Sequence, residues 1–159
     1  MAIYMKYASI QGGVTTSGYA NWIDLNSFQW GVGRSVGSVS RGEDTREGSE
    51  PSISEVVVTK RMDKASPQLW QDAVGGDFSN DVTICFTTTT KDKVTTYLQY
   101  VLAKVGLSGY SASGGANDPP SESLSLNFAT VSWTYTPMGS GVSGTPTTVG
   151  WSLTEQKKL

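Results

Sequence analysis

Residues 122–135 read ESLSLNFATVSWTY, and their alternation decides the fold. Apolar side chains occupy every second position up to Phe128, and the series resumes at Val131 with the opposite parity. A period of two is typical of strands that bury one face, here with small polar residues on the other. Keeping both halves on one core face requires an extra residue, so we predict a bulge or bend near residues 127–130.

The same alternation recurs elsewhere in short stretches, at residues 3–7, 27–32 and 82–87. About seven short strands are expected in all. Residues 55–59 and 97–102 carry apolar groups on both faces, so we expect them to be covered on both sides, by another part of the fold or by another subunit. The pattern predicts a mainly β protein, a two-sheet sandwich or partly closed barrel, formed by residues 1–159 as one domain.

One helix is predicted between Ser66, a candidate N-cap, and the stop signal Gly75-Gly76. Pro67 suits the first helical position. Two pairs are spaced by four, Leu69 with Ala73 and Trp70 with Val74. This spacing predicts one apolar stripe that packs against a sheet edge or barrel wall.

Residues 34–52 form a long stretch without periodicity, rich in Ser and Gly and of mixed charge. Loops of this length are usually functional or disordered. Its charged residues are candidates for contacts with a neighbouring chain: Arg34, Arg41, Glu43, Asp44, Arg46, Glu47 and Glu50. A solvated loop and a loop that forms salt bridges to a neighbouring chain are equally compatible with this composition. Residues 107–122 and 137–148 are also predicted as loops.

Composition excludes several classes of function. The 159 residues include no histidine and one cysteine, and the formal net charge is -2. Without histidine, the Ser-His-Asp triad and most zinc sites are ruled out, so we expect no enzyme, no metal and no cofactor. The absence of basic excess disfavours nucleic acid as a partner. The chain has no apolar run long enough for a membrane span, and its first residues do not resemble a signal peptide.

A few residues on the predicted strands suggest further roles. Cys85 lies among apolar and threonine residues and is interpreted as a small buried hydrophobe. Ser27 and Gln29 occupy the polar face of an otherwise apolar strand, where they face water, a channel or another chain. Trp22 and Trp151 are less clearly placed. They leave open the alternative of a monomeric β-sandwich ligand-binding module, lectin-like, with a tryptophan platform for sugars.

Several motifs together resemble the Hcp family, the haemolysin-coregulated proteins of the bacterial type VI secretion system. In chain order they are IDLNSFQWG (23–31), SEVVVTK (54–60), DKASP (63–67), ESLSLNF (122–128), YTPM (135–138) and TVGW (148–151). None is chemically unusual alone, but their joint order and spacing are specific.

The resemblance implies a two-sheet β-barrel with a helix on its side, similar to the tube proteins of tailed phages. It implies a homohexameric ring with a central channel, rings that stack into a tube, and partners that include a contractile sheath, a tip spike protein and small effector proteins. It places Ser27 and Gln29 at the channel wall and the 34–52 loop between subunits or rings. It also implies assembly in the bacterial cytoplasm and export by the machine itself, without a signal peptide or membrane insertion.

Overall fold

The computed structural model describes residues 1–37, 48–139 and 141–159. Within them the chain forms one helix and fourteen strands, seven of them only two or three residues long. The helix is α1 (Ser66–Gly75). The strands are β1 (Ala2–Tyr7), β2 (Ile23–Leu25), β3 (Ser27–Gln29), β4 (Val32–Gly33), β5 (Ser52–Ile53), β6 (Val56–Arg61), β7 (Asn80–Thr90), β8 (Lys93–Ser113), β9 (Ser121–Asn127), β10 (Thr130–Tyr135), β11 (Met138–Gly139), β12 (Gly141–Val142), β13 (Thr147–Ser152) and β14 (Lys157–Lys158).

Strand β8 joins two sheets because its 21 residues pair with different partners along their length. Its first part pairs with β7 and β10, and its last part, from Gly106 onwards, pairs with β9. The first sheet has the order β14-β13-β10-β8-β7-β1-β2, and the second has the order β3-β6-β9-β8. The predicted mainly β, two-sheet architecture is confirmed. Among the described residues, the ladders do not close the sheets into a barrel.

The parity change in residues 122–135 corresponds to a break between strands. Strand β9 ends at Asn127 and β10 begins at Thr130. Strand β9 lies in the second sheet and β10 in the first, so the intervening residues carry the chain from one sheet to the other. Phe128 and Val131 are both buried despite their opposite parity. The predicted irregularity is thus a crossing between sheets rather than a bulge within one strand.

The core lies between the inner faces of the two sheets. Its fully buried residues are Met5, Tyr7, Ile23, Val56, Val58, Ala65, Leu69, Val82, Ile84, Leu102, Val105, Leu124 and Leu126. The outer faces are less well covered than expected. Val57 is half-buried, and Val101, in the two-faced stretch 97–102, is 38% exposed. The apolar outer side of that stretch is therefore not sealed by the chain itself.

Residues 107–122 were predicted as a loop, and this prediction is wrong for the first part. Strand β8 continues to Ser113 and pairs with β9 as far as Ser121. Its Gly and Ser residues have low strand propensity, and the ladder with β9 overrides that preference. The predicted loop 137–148 contains the two short paired strands β11 and β12.

The N-cap of the helix lies one residue earlier than predicted. Ala65 is the N-cap, and no side chain caps the helix there. Ser66 is the first helical residue, with its hydroxyl engaged elsewhere. The glycine stop is confirmed: Gly75 ends the helix, and Gly76 donates its N–H to the carbonyl of Asp72 at 2.8 Å. A Cβ at Gly76 would lie 2.4 Å from a carboxylate oxygen of Asp72, so this close approach requires glycine.

Only half of the predicted apolar stripe is buried. Leu69 is fully buried and Ala73 packs against the core, whereas Trp70 and Val74 are 55% and 67% exposed. Each helical step turns the side chain by about 100°. The second pair is therefore rotated away from the sheet, and the prediction that it packs there is wrong.

A half-buried carboxylate, that of Asp72, anchors this helix to the sheets. Asp72 accepts hydrogen bonds from the hydroxyl of Tyr7, from the amide of Asn80 at 3.2 Å and from the backbone N–H of Leu107 at 3.4 Å. Burial and the bond to Asp72 raise the pKa of Tyr7.

On β7, Cys85 is 4% exposed, and burial raises the pKa of its thiol, as expected for a small buried hydrophobe.

Candidate assembly surfaces

Strand β3 presents its two polar side chains to the outside of the second sheet. Ser27 and Gln29 are both exposed, while Phe28 between them points inward and stacks on Tyr100, with ring centroids 4.7 Å apart. The hydroxyls of Ser27 and Thr59, on the neighbouring strand β6, are hydrogen-bonded to each other.

The polar face continues across all four strands of the second sheet. Two cross-strand rows are in register: Ser27–Thr59–Ser123–Ser111 and Gln29–Val57–Ser125–Gly109. We call these eight residues the hydroxyl face. It carries no formal charge, although Arg61 lies beyond one end and Glu55 beyond the other. Glu55 accepts hydrogen bonds from Ser108 and from the amide of Asn127 at 3.3 Å.

The second sheet ends in two strands with open outer edges. In the described part of the chain, β3 forms a ladder only with β6, and residues 109–113 of β8 form one only with β9. Three antiparallel ladders separate β3 from β8, so these two edge strands run in opposite directions. Unpaired N–H and C=O groups on such edges are templates for pairing with another chain.

The 34–52 loop begins as a narrow two-stranded arm. Strands β4 and β5 pair, a further bridge joins Val36 to Gly48, and Ser49 donates its backbone N–H to Ser35 at 2.9 Å. Arg34 and Glu50 are exposed on this arm. The other predicted contact residues lie outside the described residues: Arg41, Glu43, Asp44, Arg46 and Glu47.

A buried charged cluster, which the sequence analysis missed, joins the start of the helix to the second sheet. Lys60 and Glu122 are 0% and 1% exposed, and their Nζ and Oε1 atoms lie 2.6 Å apart. Lys60 also donates to Asp63 at 2.9 Å and to the hydroxyl of Ser66 at 3.1 Å. Ser66 and Tyr110 both donate to Glu122. We call these five residues the lysine cluster.

Hydrogen bonding decides the direction in which the pKa of Glu122 shifts. Burial by itself raises the pKa of Glu122, but hydrogen bonds from Lys60, Ser66 and Tyr110 outweigh it and hold this pKa below its ordinary value. Burial and the bond to Glu122 raise the pKa of Tyr110 to about 12. A signal for the cluster was present in the sequence, because Lys60 shares the parity of Val56 and Val58, and Glu122 that of Leu124 and Leu126.

A groove lies between the root of the 34–52 arm and the first sheet. Its volume is about 460 Å³, and three indole rings line it, those of Trp30, Trp133 and Trp151. The remaining lining is mostly apolar and includes Val32, Ile53 and Val149. We call it the tryptophan groove.

The two tryptophans considered as sugar platforms lie in different settings. Trp151 is half-buried in the tryptophan groove. Trp22 is also half-buried and meets Tyr19 edge-on, with centroids 5.2 Å apart. The platform hypothesis stays a prediction.

Within residues 1–37, 48–139 and 141–159, no group of three His, Cys, Asp or Glu side chains is arranged to hold a metal ion. No helix in the same ranges is long and apolar enough to cross a membrane.

Comparison with known proteins identifies the family. Residues 4–135 match the family described as "Type VI secretion system effector, Hcp". The chain belongs to the Hcp family. The resemblance inferred from the sequence motifs is thereby confirmed. Membership of the Hcp family supports a role as a subunit of the type VI secretion tube.

Solved structures agree with this assignment to the Hcp family. One titled "Structure of a type six secretion system protein" is 29% identical, covers 99% of each chain and superposes with a TM-score of 0.90. Hcp1 from Salmonella typhimurium is 20% identical over 99% of this chain and 98% of its own, with a TM-score of 0.77. A type VI secretion system effector from Yersinia pestis is 18% identical over 94% and 98%, with a TM-score of 0.74. The latter two show a shared fold. A comparison with curated protein sequences found no match.

Proposed function

We propose that this chain forms hexameric rings that stack into the inner tube of a type VI secretion system and carry effector proteins in their channel. The observation that carries the proposal is the pair of open edges on the second sheet. Because β3 and β8 run in opposite directions, a copy related by rotation alone can place its β8 edge against β3 as an antiparallel ladder. Such a head-to-tail contact closes into a ring when the rotation per subunit does.

The hydroxyl face supports the channel assignment. The opposite face of the second sheet is committed to the core through Val56, Val58, Leu124 and Leu126, so the hydroxyl face is free to line the channel. Short hydroxyls and one amide offer hydrogen bonds without fixed charge, which suits weak retention of varied cargo. Sheath, spike and effectors are the partners in this proposal, with cytoplasmic assembly and export by the machine.

Light scattering on a size-exclusion peak, with negative-stain images of the same fraction, tests ring formation. We expect a hexamer mass and ring-shaped particles at micromolar concentration. A monomer at all accessible concentrations would overturn the tube assignment and favour a binding module.

Substitution of Gln29 tests the channel wall. Gln29→Arg places a long cation on the hydroxyl face and should reduce effector retention and protection roughly tenfold, because an unpaired charge must then be desolvated by cargo. Gln71→Arg is the matched control, since Gln71 is an exposed glutamine on α1. Co-purification of an effector with each variant, after ring assembly has been verified, provides the measurement. Equal retention by both variants contradicts the channel position of Gln29.

A further inference from the structure

A hollow on the outer face of the first sheet takes no part in the assembly proposed above. Its volume of about 680 Å³ lies in the range of small-molecule sites, and it shares no lining residue with the tryptophan groove. Its floor is formed by β7 and β8, where Cys85 and Gln99 lie opposite each other and face away from the core side chain of Ile84. The segment 17–22 contributes one wall, and the turn at Asp92 closes one end. We call it the outer hollow.

The wall of the outer hollow is held in place by its own backbone. Gly12 donates its N–H to the carbonyl of Asn21 at 2.8 Å, and Asn21 donates to that of Val14 at 2.8 Å. Val14 in turn donates to the carbonyl of Trp22 at 3.1 Å, and Trp22 donates to that of Tyr19 at 3.0 Å. A Cβ at Gly12 would lie 2.3 Å from the carbonyl oxygen of Trp22, so this close approach requires glycine. Because the wall is already ordered, a ligand that binds against it pays little for ordering the loop.

Aromatic side chains connect this wall to the first sheet. The ring of Tyr19 contacts that of Tyr4 on β1 and meets Trp22 edge-on, with centroids 5.1 and 5.2 Å apart, respectively. The hydroxyl of Tyr19 is hydrogen-bonded to that of Thr96 on β8. Trp22 is half-buried, so part of its indole remains open to the hollow. An indole held in this way offers a rigid apolar surface to the C–H groups of a ligand.

Polar side chains without partners line the rest of the outer hollow. In the part of the chain that the structure describes, Thr83, Asp92 and Gln99 form no hydrogen bond to another side chain. They present a hydroxyl, a carboxylate and an amide, and therefore both donors and acceptors. The charges of Asp92 and Lys93 are opposite, so the lining has no excess of positive charge for a phosphate. These features suit a neutral ligand that is rich in hydroxyl groups.

We propose that the outer hollow binds a neutral saccharide, whose C–H face packs on Trp22 and whose hydroxyls bond to Asp92, Gln99 and Thr83. The proposal does not depend on ring assembly. The core lies between the two sheets, so the outer face of the first sheet and the hydroxyl face point in opposite directions. A ring whose channel is lined by the hydroxyl face leaves the outer hollow on the outside of the tube.

Saturation-transfer NMR on the full chain tests the site, with glucose, galactose, N-acetylglucosamine, maltose and lactose as probes. Asp92→Gly and Trp22→Ala should each raise the dissociation constant of the bound sugar about tenfold, through loss of a charged acceptor and of the apolar platform. The φ angle of Asp92 is 63°, a value that glycine adopts readily, so Asp92→Gly should not lower the thermal unfolding midpoint. Asp118→Gly and Trp70→Ala are the matched controls, because both side chains are exposed and lie outside the hollow.

Each outcome decides the proposal. Sugar binding by wild type and both controls, weakened in folded Asp92→Gly and in Trp22→Ala, supports it. If Trp22→Ala does not fold, Gln99→Ala takes its place, since this amide has no partner side chain whose loss would disturb the fold. An absence of saturation transfer from all five sugars overturns the proposal. Binding that Asp92→Gly and Gln99→Ala leave unchanged overturns it as well, because the sugar then lies elsewhere on the chain.

Discussion

Replacing Lys60 with methionine should lower the free energy of unfolding by about 3–5 kcal/mol at neutral pH. Lys60 is fully buried, and its ammonium group neutralises Glu122 at 2.6 Å. Methionine fills a similar volume but leaves the carboxylate of Glu122 buried without its cation. Denaturant unfolding followed by circular dichroism measures the loss.

The chain offers a matched control at a surface ion pair. Lys157 and Glu155 also form a salt bridge, but their side chains are 64% and 57% exposed. Lys157→Met should therefore cost less than about 1 kcal/mol. The double variant Lys60→Met/Glu122→Leu should recover part of the lost stability, since it also removes the buried carboxylate that has no cation beside it. Equal costs for Lys60→Met and Lys157→Met would show that the lysine cluster does not stabilise the fold as described.

The difference between wild type and Lys60→Met should also depend on pH. The pKa of Glu122 is lowered in the folded chain, so its contribution to stability is present at neutral pH and is lost as the pH falls through that folded pKa. Without Lys60, the burial of Glu122 raises its pKa again, and the carboxyl takes up a proton at higher pH. The difference in unfolding free energy between wild type and Lys60→Met should therefore be smaller at acidic pH than at neutral pH. A gap that is constant with pH contradicts an electrostatic origin.

The lysine cluster also illustrates what the sequence alone can predict. Alternation around Leu124, Leu126 and Val131 correctly predicted strands with one buried face, because parity is a local property of the chain. Lys60 and Glu122 also have core-facing parity, yet they are 62 positions apart. Recognising them as partners required the register of β6 against β9, which local patterning does not contain.

The assembly surfaces also combine features that local alternation predicts with features that depend on pairing between distant strands. Ser27 and Gln29 were predicted as an exposed polar pair, and the structure places both on the outside of the second sheet. Their alignment with Ser123 and Ser111 depends on three separate ladders. The end of β8 was missed because its serine and glycine residues resemble a loop, and only pairing with β9 makes them a strand. This missed segment supplies one of the two open edges on which the ring proposal depends.

Only one half of the apolar stripe on α1 packs against the core, and a substitution at Leu69 tests this orientation of the helix. Leu69→Ala should cost about 2–5 kcal/mol, because it removes fully buried methyl groups and leaves a cavity beneath the helix. Trp70→Ala is the control at the adjacent position. It should change stability by no more than about 0.5 kcal/mol, since this side chain is 55% exposed and alanine is a better helix former.

The two substitutions separate the described helix orientation from the alternative in which both pairs face the sheet. The anchor at Asp72 fixes the rotation of α1, because its carboxylate must reach Tyr7 on β1 and the N–H of Leu107 on β8. That rotation directs Leu69 into the core and Trp70 into solvent. Thermal and denaturant unfolding of both variants would show comparable losses if the whole stripe were buried. A large loss confined to Leu69→Ala supports the orientation described and leaves the outer face of α1 free of any role in holding the subunit together.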